Sequence, residues 1–135
     1  MYMGLLDSLK GMVGKGSPKV EVKLLKEQAT VQESVKGVAT FTGGEYPVTI
    51  DSVILSMLMV EELKEKQTTK ESTDKVGKIT FNDYILEPKE VISLPFQIVI
   101  PKSNLISSTA IKHYVHVQLD INGQDVFGVC EIKII

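Results

Sequence analysis

Arginine and tryptophan are absent from the 135 residues, and cysteine occurs once, at Cys130. A nucleic-acid interface usually presents a basic stripe whose guanidinium groups pair with phosphate and guanine edges. Fifteen lysines stand against 17 acidic residues, for a net charge of −2, so DNA or RNA binding is not expected. A lone cysteine cannot close an intramolecular disulfide, and a secreted β-domain of this size more often carries a pair, which points to the cytoplasm. Long apolar runs are also missing. The longest, Val53 to Val60, is broken by Ser56 and falls far short of the roughly 18 residues a membrane-spanning helix needs. Residues Met1 to Val13 lack the basic start, continuous apolar centre and small-residue cleavage site of an export signal. There is no internal repeat and no low-complexity tract. With 43% apolar and 24% charged residues, what remains is the composition of one folded domain.

Two periodicities divide the chain. Tyr2, Leu5, Leu6, Leu9, Met12 and Val13 recur at steps of three or four, which predicts an amphipathic helix. Gly14, Gly16, Ser17 and Pro18 end it, so residues 1–17 read as helix plus Gly-rich linker. From residue 18 to 135 the period is two. Val20, Val22 and Leu24 alternate with Lys19, Glu21 and Lys23; Val35, Gly37, Ala39 and Phe41 share the next inward face. Gly43 to Pro47 is turn chemistry leading into Val48 to Val60, apolar on both faces and therefore expected at the centre of a sheet, with the helix a candidate cover for one face. The segment Glu61 to Lys78 holds five charges of each sign and reads as a solvated hairpin or long loop. Ile79 with Phe81, then Tyr84 with Leu86, make short alternating pieces.

Ile92, Leu94, Phe96, Ile98 and Ile100 form a clearer strand, which Pro95 assigns to a sheet edge or a bulge. Ile111, His113, Val115, Val117, Leu119 and Ile121 form another, followed by an Asn122–Gly123 hairpin signal and a last strand with Cys130, Ile132 and Ile134 inward. Seven or eight strands with regular turns predict an all-β, antiparallel two-sheet sandwich with a short N-terminal helix.

Catalytic and ligand constellations find little support. Gly11 to Ser17 has the outline of a phosphate loop, but Leu9 stands where its first glycine belongs, and Gly16 replaces the hydroxyl residue after Lys15. It also follows a helix and precedes a strand, the reverse of the order that aims amides at phosphate. His113 and His116, three apart on a strand, point to opposite faces and should not share a metal ion; His116, Gln118 and Asp120 share a face that reads as solvated. No Gly-x-Ser-x-Gly elbow occurs, Cys130 reads as a small core residue, and the carboxylate pairs Glu61–Glu62 and Glu87–Glu90 read as solubilising. No enzyme activity, metal or cofactor is expected.

Binding is the remaining class of function. The stripe carrying Leu5, Leu6, Leu9 and Met12 fits its own sheet or a partner groove; Lys10 and Lys15 are too few for a strong membrane anchor. An exposed edge strand accepts another strand, which makes Pro18 to Leu25, with Val20 and Val22, and Val91 to Ile100 the candidate edges and homo-oligomerisation the simplest outcome. A small-ligand or carbohydrate-binding sandwich is the alternative, against which four Phe, four Tyr and no Trp offer few stacking platforms.

The short helix running into Gly14, then Lys19-Val20-Glu21-Val22, Val35-Lys36-Gly37-Val38, Gly43-Gly44, Ile50-Asp51-Ser52-Val53, Leu94-Pro95-Phe96, Ile100-Pro101 and His113-Tyr114-Val115-His116-Val117 with Leu119-Asp120 follow in an order that resembles the bacterial sporulation-control protein family. The pieces span most of the chain. The resemblance implies an immunoglobulin-like, arrestin N-domain-like sandwich over 18–135. It also implies a non-catalytic adaptor or regulatory role connected with early sporulation and the cell envelope, through protein partners.

Overall fold

The computed structural model describes residues 16–122 and 125–135, and the helix expected over Met1 to Val13 lies outside them. Eight strands follow: β1 (Lys19–Leu24), β2 (Gln28–Ala29), β3 (Ser34–Thr42), β4 (Val48–Leu63), β5 (Thr68–Leu86), β6 (Val91–Val99), β7 (Ile111–Ile121) and β8 (Val126–Ile134). They form two sheets, one of three strands in the order β1-β3-β6 and one of five in the order β2-β8-β7-β4-β5. All neighbours are antiparallel except the two-residue β2, which lies parallel to β8. Among the described residues no helix is long and apolar enough to cross a membrane.

Alternation sets the core. Val35, Ala39 and Phe41 of β3 and Phe96 and Ile98 of β6 face Val53, Leu55 and Met57 of β4 and Val115, Val117 and Leu119 of β7, all buried. Each Val, Leu, Ile, Phe or Met among them contributes roughly 1.5–3 kcal/mol by leaving water. As its two apolar faces predict, β4 is interior to its sheet, between β7 and β5. As Pro95 predicts, β6 is an edge.

The charged segment Glu61 to Lys78 is a hairpin: β4 runs on to Leu63, a single 3-10 turn spans Lys64–Lys66, and β5 returns from Thr68. Strands of 16 and 19 residues outrun the six- and nine-residue strands opposite, so the far end of this hairpin meets water on both faces. β5 is continuous through the two short pieces read from Ile79 to Leu86. It holds register with β4 by bulging at Val76 and across Phe81–Asp83, where Asp83 takes a φ of 52°.

Candidate interaction surface

The two edges of the three-stranded sheet differ. Val20, Val22 and Leu24 of β1 point inward and pack, half-buried, on the core. The Val20 carbonyl oxygen lies 2.7 Å from where a Cβ on Gly128 would stand, so β1 and β8 meet backbone to backbone. Only glycine permits that approach, and it closes the free side of β1. Val20 and Val22 therefore serve the sandwich interior, while Leu5, Leu6, Leu9 and Met12 lie outside the described residues.

β6 is open. Its nine residues carry no charge, and Val91 and Val99 are 61% and 55% exposed at its two ends. A proline fits such a strand only with its nitrogen turned from the neighbour. Pro95 pairs with Val38, so the outward row of β6 belongs to Val91, Ser93, Gln97 and Val99, with a missing donor at its middle. The other long edge, β5, carries Lys70, Glu71, Asp74, Lys75 and Lys78 and two bulges, the usual protections against strand addition.

His113 and His116 lie on opposite faces of β7, as the spacing predicts, but neither is solvated. His113 is 0% exposed and faces the core; its Nδ1 lies 2.8 Å from Ser107 Oγ, which also accepts the Ile134 amide at 2.8 Å. One hydroxyl thus takes part in two hydrogen bonds, one from the Ile134 amide and one with the His113 ring. Nε2 is buried without a partner. The serine thus ties the 101–110 loop to β7 and β8. Sequence reasoning missed this bracket, because only the loop's return across the sheet brings Ser107 to His113. Ser107→Ala is expected to cost about 1–3 kcal/mol in the denaturant midpoint, since it strands the buried Ile134 amide.

His116 corrects the expectation of a solvated face: it is 5% exposed, both ring nitrogens lack partners, and the Phe127 ring lies 5.0 Å away. Burial pushes both imidazoles below their ordinary value. Cys130 is inward-facing but only half-buried, and burial raises its thiol. Glu90 accepts from the Tyr84 hydroxyl and, at 2.9 Å, from the Glu87 amide; these bonds hold its carboxyl below the usual range and pin the β5–β6 turn. Among the described residues no three His, Cys, Asp or Glu converge as a metal site. A shallow cleft of about 630 Å³ at the β4–β5 tip is lined by Glu62, Lys64, Thr68, Thr69, Thr109 and Lys112, among others, with no aromatic side chain.

The family model described as SpoOM protein, Spo0M, matches residues 6–126. The chain belongs to the Spo0M family. Among solved structures, the crystal structure of Spo0M, sporulation control protein, from Bacillus subtilis superposes with a TM-score of 0.71 at 21% identity. The match covers 88% of this chain and 49% of that one, so the chain spans about half the length of that Spo0M, and the likeness shows the fold. No protein of curated function matches the chain.

Proposed function

We propose that this chain is a non-catalytic, arrestin-like adaptor domain of the cytoplasm that takes part in the control of sporulation by adding a partner's strand to β6, the simplest partner being a second copy of itself. The observation that carries the reading is the open, uncharged β6 edge, beside a β1 closed by Gly128 and a β5 guarded by charge and bulges. Membership of the Spo0M family supports the regulatory setting, and a three-stranded sheet facing a five-stranded one suits the immunoglobulin-like, arrestin-like fold. Ser107 and His113 argue against nucleophilic chemistry: the hydroxyl is engaged by an amide and the ring's far nitrogen is sealed without an orienting acid. The alternative, a small-ligand site in the hairpin cleft, has lysines and threonines but no platform on which a sugar stacks.

Sedimentation velocity up to millimolar concentration tests the proposal. Concentration-dependent association is expected. It should be lost in a Val91→Lys/Val99→Lys chain, whose exposed substitutions leave the sandwich folded by circular dichroism. A chain that stays monomeric throughout, or an association indifferent to both lysines, contradicts it.

A further inference from the structure

The open edge strand reads almost the same in both directions. Counted outward from Pro95, each step along β6 meets a residue of the same character on either side: Leu94 and Phe96, Ser93 and Gln97, Ile92 and Ile98, Val91 and Val99. The odd-numbered residues are exposed on the outer face of the sheet, whereas Ile92, Leu94, Phe96 and Ile98 point to the core. Burial is uneven along that inner row. Phe96 and Ile98 are buried, while Ile92 and Leu94 are only half-buried. β6 also carries no charge, so a second β6 laid beside it brings no like charges together.

A surface that meets its own copy across a two-fold axis has to be self-complementary, since every contact is made twice with the partners exchanged. β6 meets that condition in one arrangement. Antiparallel to a second β6 about an axis at Pro95, Val91 faces Val99 of the copy and Ser93 faces Gln97 of the copy, all at outward positions, so each of these amides finds a carbonyl. On the inner face Ile92 meets Ile98 of the copy and Leu94 meets Phe96 of the copy, so the half-buried part of each strand lies beside the buried part of the other. Pro95 restricts the register. It has no amide hydrogen and its ring stands in that place, so a facing carbonyl must stand off. Centred on Pro95, both prolines fall at the axis and the strands bow apart at that one place. A slip of two residues sets each proline against Ser93 or Gln97 of the copy, which opens two such gaps and leaves a valine of each strand without an opposite.

We infer that a second copy of the chain pairs with β6 antiparallel about a two-fold axis at Pro95, joining the two three-stranded sheets into one of order β1-β3-β6-β6-β3-β1. The inference rests on the reading of β6 as the site of strand addition and adds to it the partner's strand, its direction and its register. Disulfide trapping in full-length chains tests it, with Cys130→Ser in each so that the native thiol takes no part. Ser93→Cys in one chain and Gln97→Cys in another place thiols on facing residues whose α-carbons are about 5.5 Å apart, within disulfide reach. Ser93 and Ser93 of the copy, by contrast, are separated by roughly 14 Å of strand. Under mild oxidation, cross-linked dimer is expected in the mixture of the two chains and not in either alone. Cross-linking of either chain with itself overturns the register, while strand addition at β6 stands. No cross-link in any combination overturns both. Should a cysteine chain fail to fold, a mixture of isotope-labelled and unlabelled unaltered copies decides. Leu94 Hα is expected to show a nuclear Overhauser contact with Phe96 Hα of the other copy, a pair whose α-carbons lie about 4.5 Å apart. Absence of that contact in the associated protein overturns the inference.

Discussion

Gly43→Ala is expected to lower the unfolding free energy by about 3 kcal/mol, a large share of what a domain of this size possesses. A Cβ at Gly43 would stand 1.9 Å from the Glu87 carbonyl oxygen and 3.0 Å from the Lys89 nitrogen, both main-chain atoms. Those atoms have little room to retreat. Gly43 donates to the Glu90 carbonyl at 2.7 Å and accepts from the Lys89 amide at 3.1 Å, while the turn is pinned by its own Glu90-to-Glu87 bond of 3.0 Å and by Lys89 at a φ of 62°. The alanine must therefore break the clasp between the end of β3 and the turn that starts β6. Gly77→Ala is the control. Its added carbon would meet Leu55 Cδ1 at 3.4 Å, an ordinary contact, so its effect should stay within about 1 kcal/mol. Urea midpoints at constant slope check the pair; equal midpoints would mean the turn yields freely.

Acidification is expected to destabilise the protein already above the range in which carboxylates titrate. In the unfolded chain His113 and His116 take up protons near the ordinary value of 6.5, whereas burial holds both native imidazoles lower. As the pH falls below about 6.5 the unfolded state binds protons that the native state refuses, so stability drops. The loss continues until the pH passes the native values. Each histidine contributes a slope of up to about 1.4 kcal/mol per pH unit, and stability is flat with respect to both groups above about pH 7. Glu33 and Glu90, whose carboxyls are held low by hydrogen bonds, add their losses only below their ordinary value of 4.5. Denaturant midpoints between pH 8 and 5 should show the fall, and His116→Gln should remove part of the slope. A flat profile across that interval would contradict the burial of both rings.

The strands whose two faces meet different surroundings were legible from sequence. Val35 to Phe41 and Ile92 to Ile100 alternate cleanly because one face meets the core and the other water, and Val53 to Val60 carries apolar residues on both faces, Leu55 and Met57 toward the core and Leu58 buried on the other. Legibility fails where that contrast disappears. The β4–β5 extension beyond the short sheet is wet on both sides, so its charges carry no period, and the bulges at Val76 and Phe81–Asp83 break the count along β5. β2, two residues paired parallel to β8, has too little length for any pattern. For the candidate surface, the open β6 edge was readable from Pro95. The closure of β1 was not, since it depends on Gly128, more than 100 residues further along, admitting the Val20 carbonyl. His116 read as solvated because polar neighbours Gln118 and Asp120 share its face, whereas Leu58 and Phe127 decide its surroundings.

Amide hydrogen exchange, resolved by residue and compared between dilute and concentrated protein, tests the adaptor reading most directly. The account predicts that concentration slows exchange at the outward amides of β6, Val91, Ser93, Gln97 and Val99, and leaves the charged edge of β5 unchanged. Protection appearing on β5, or no change at β6 at any concentration, would contradict strand addition at that edge.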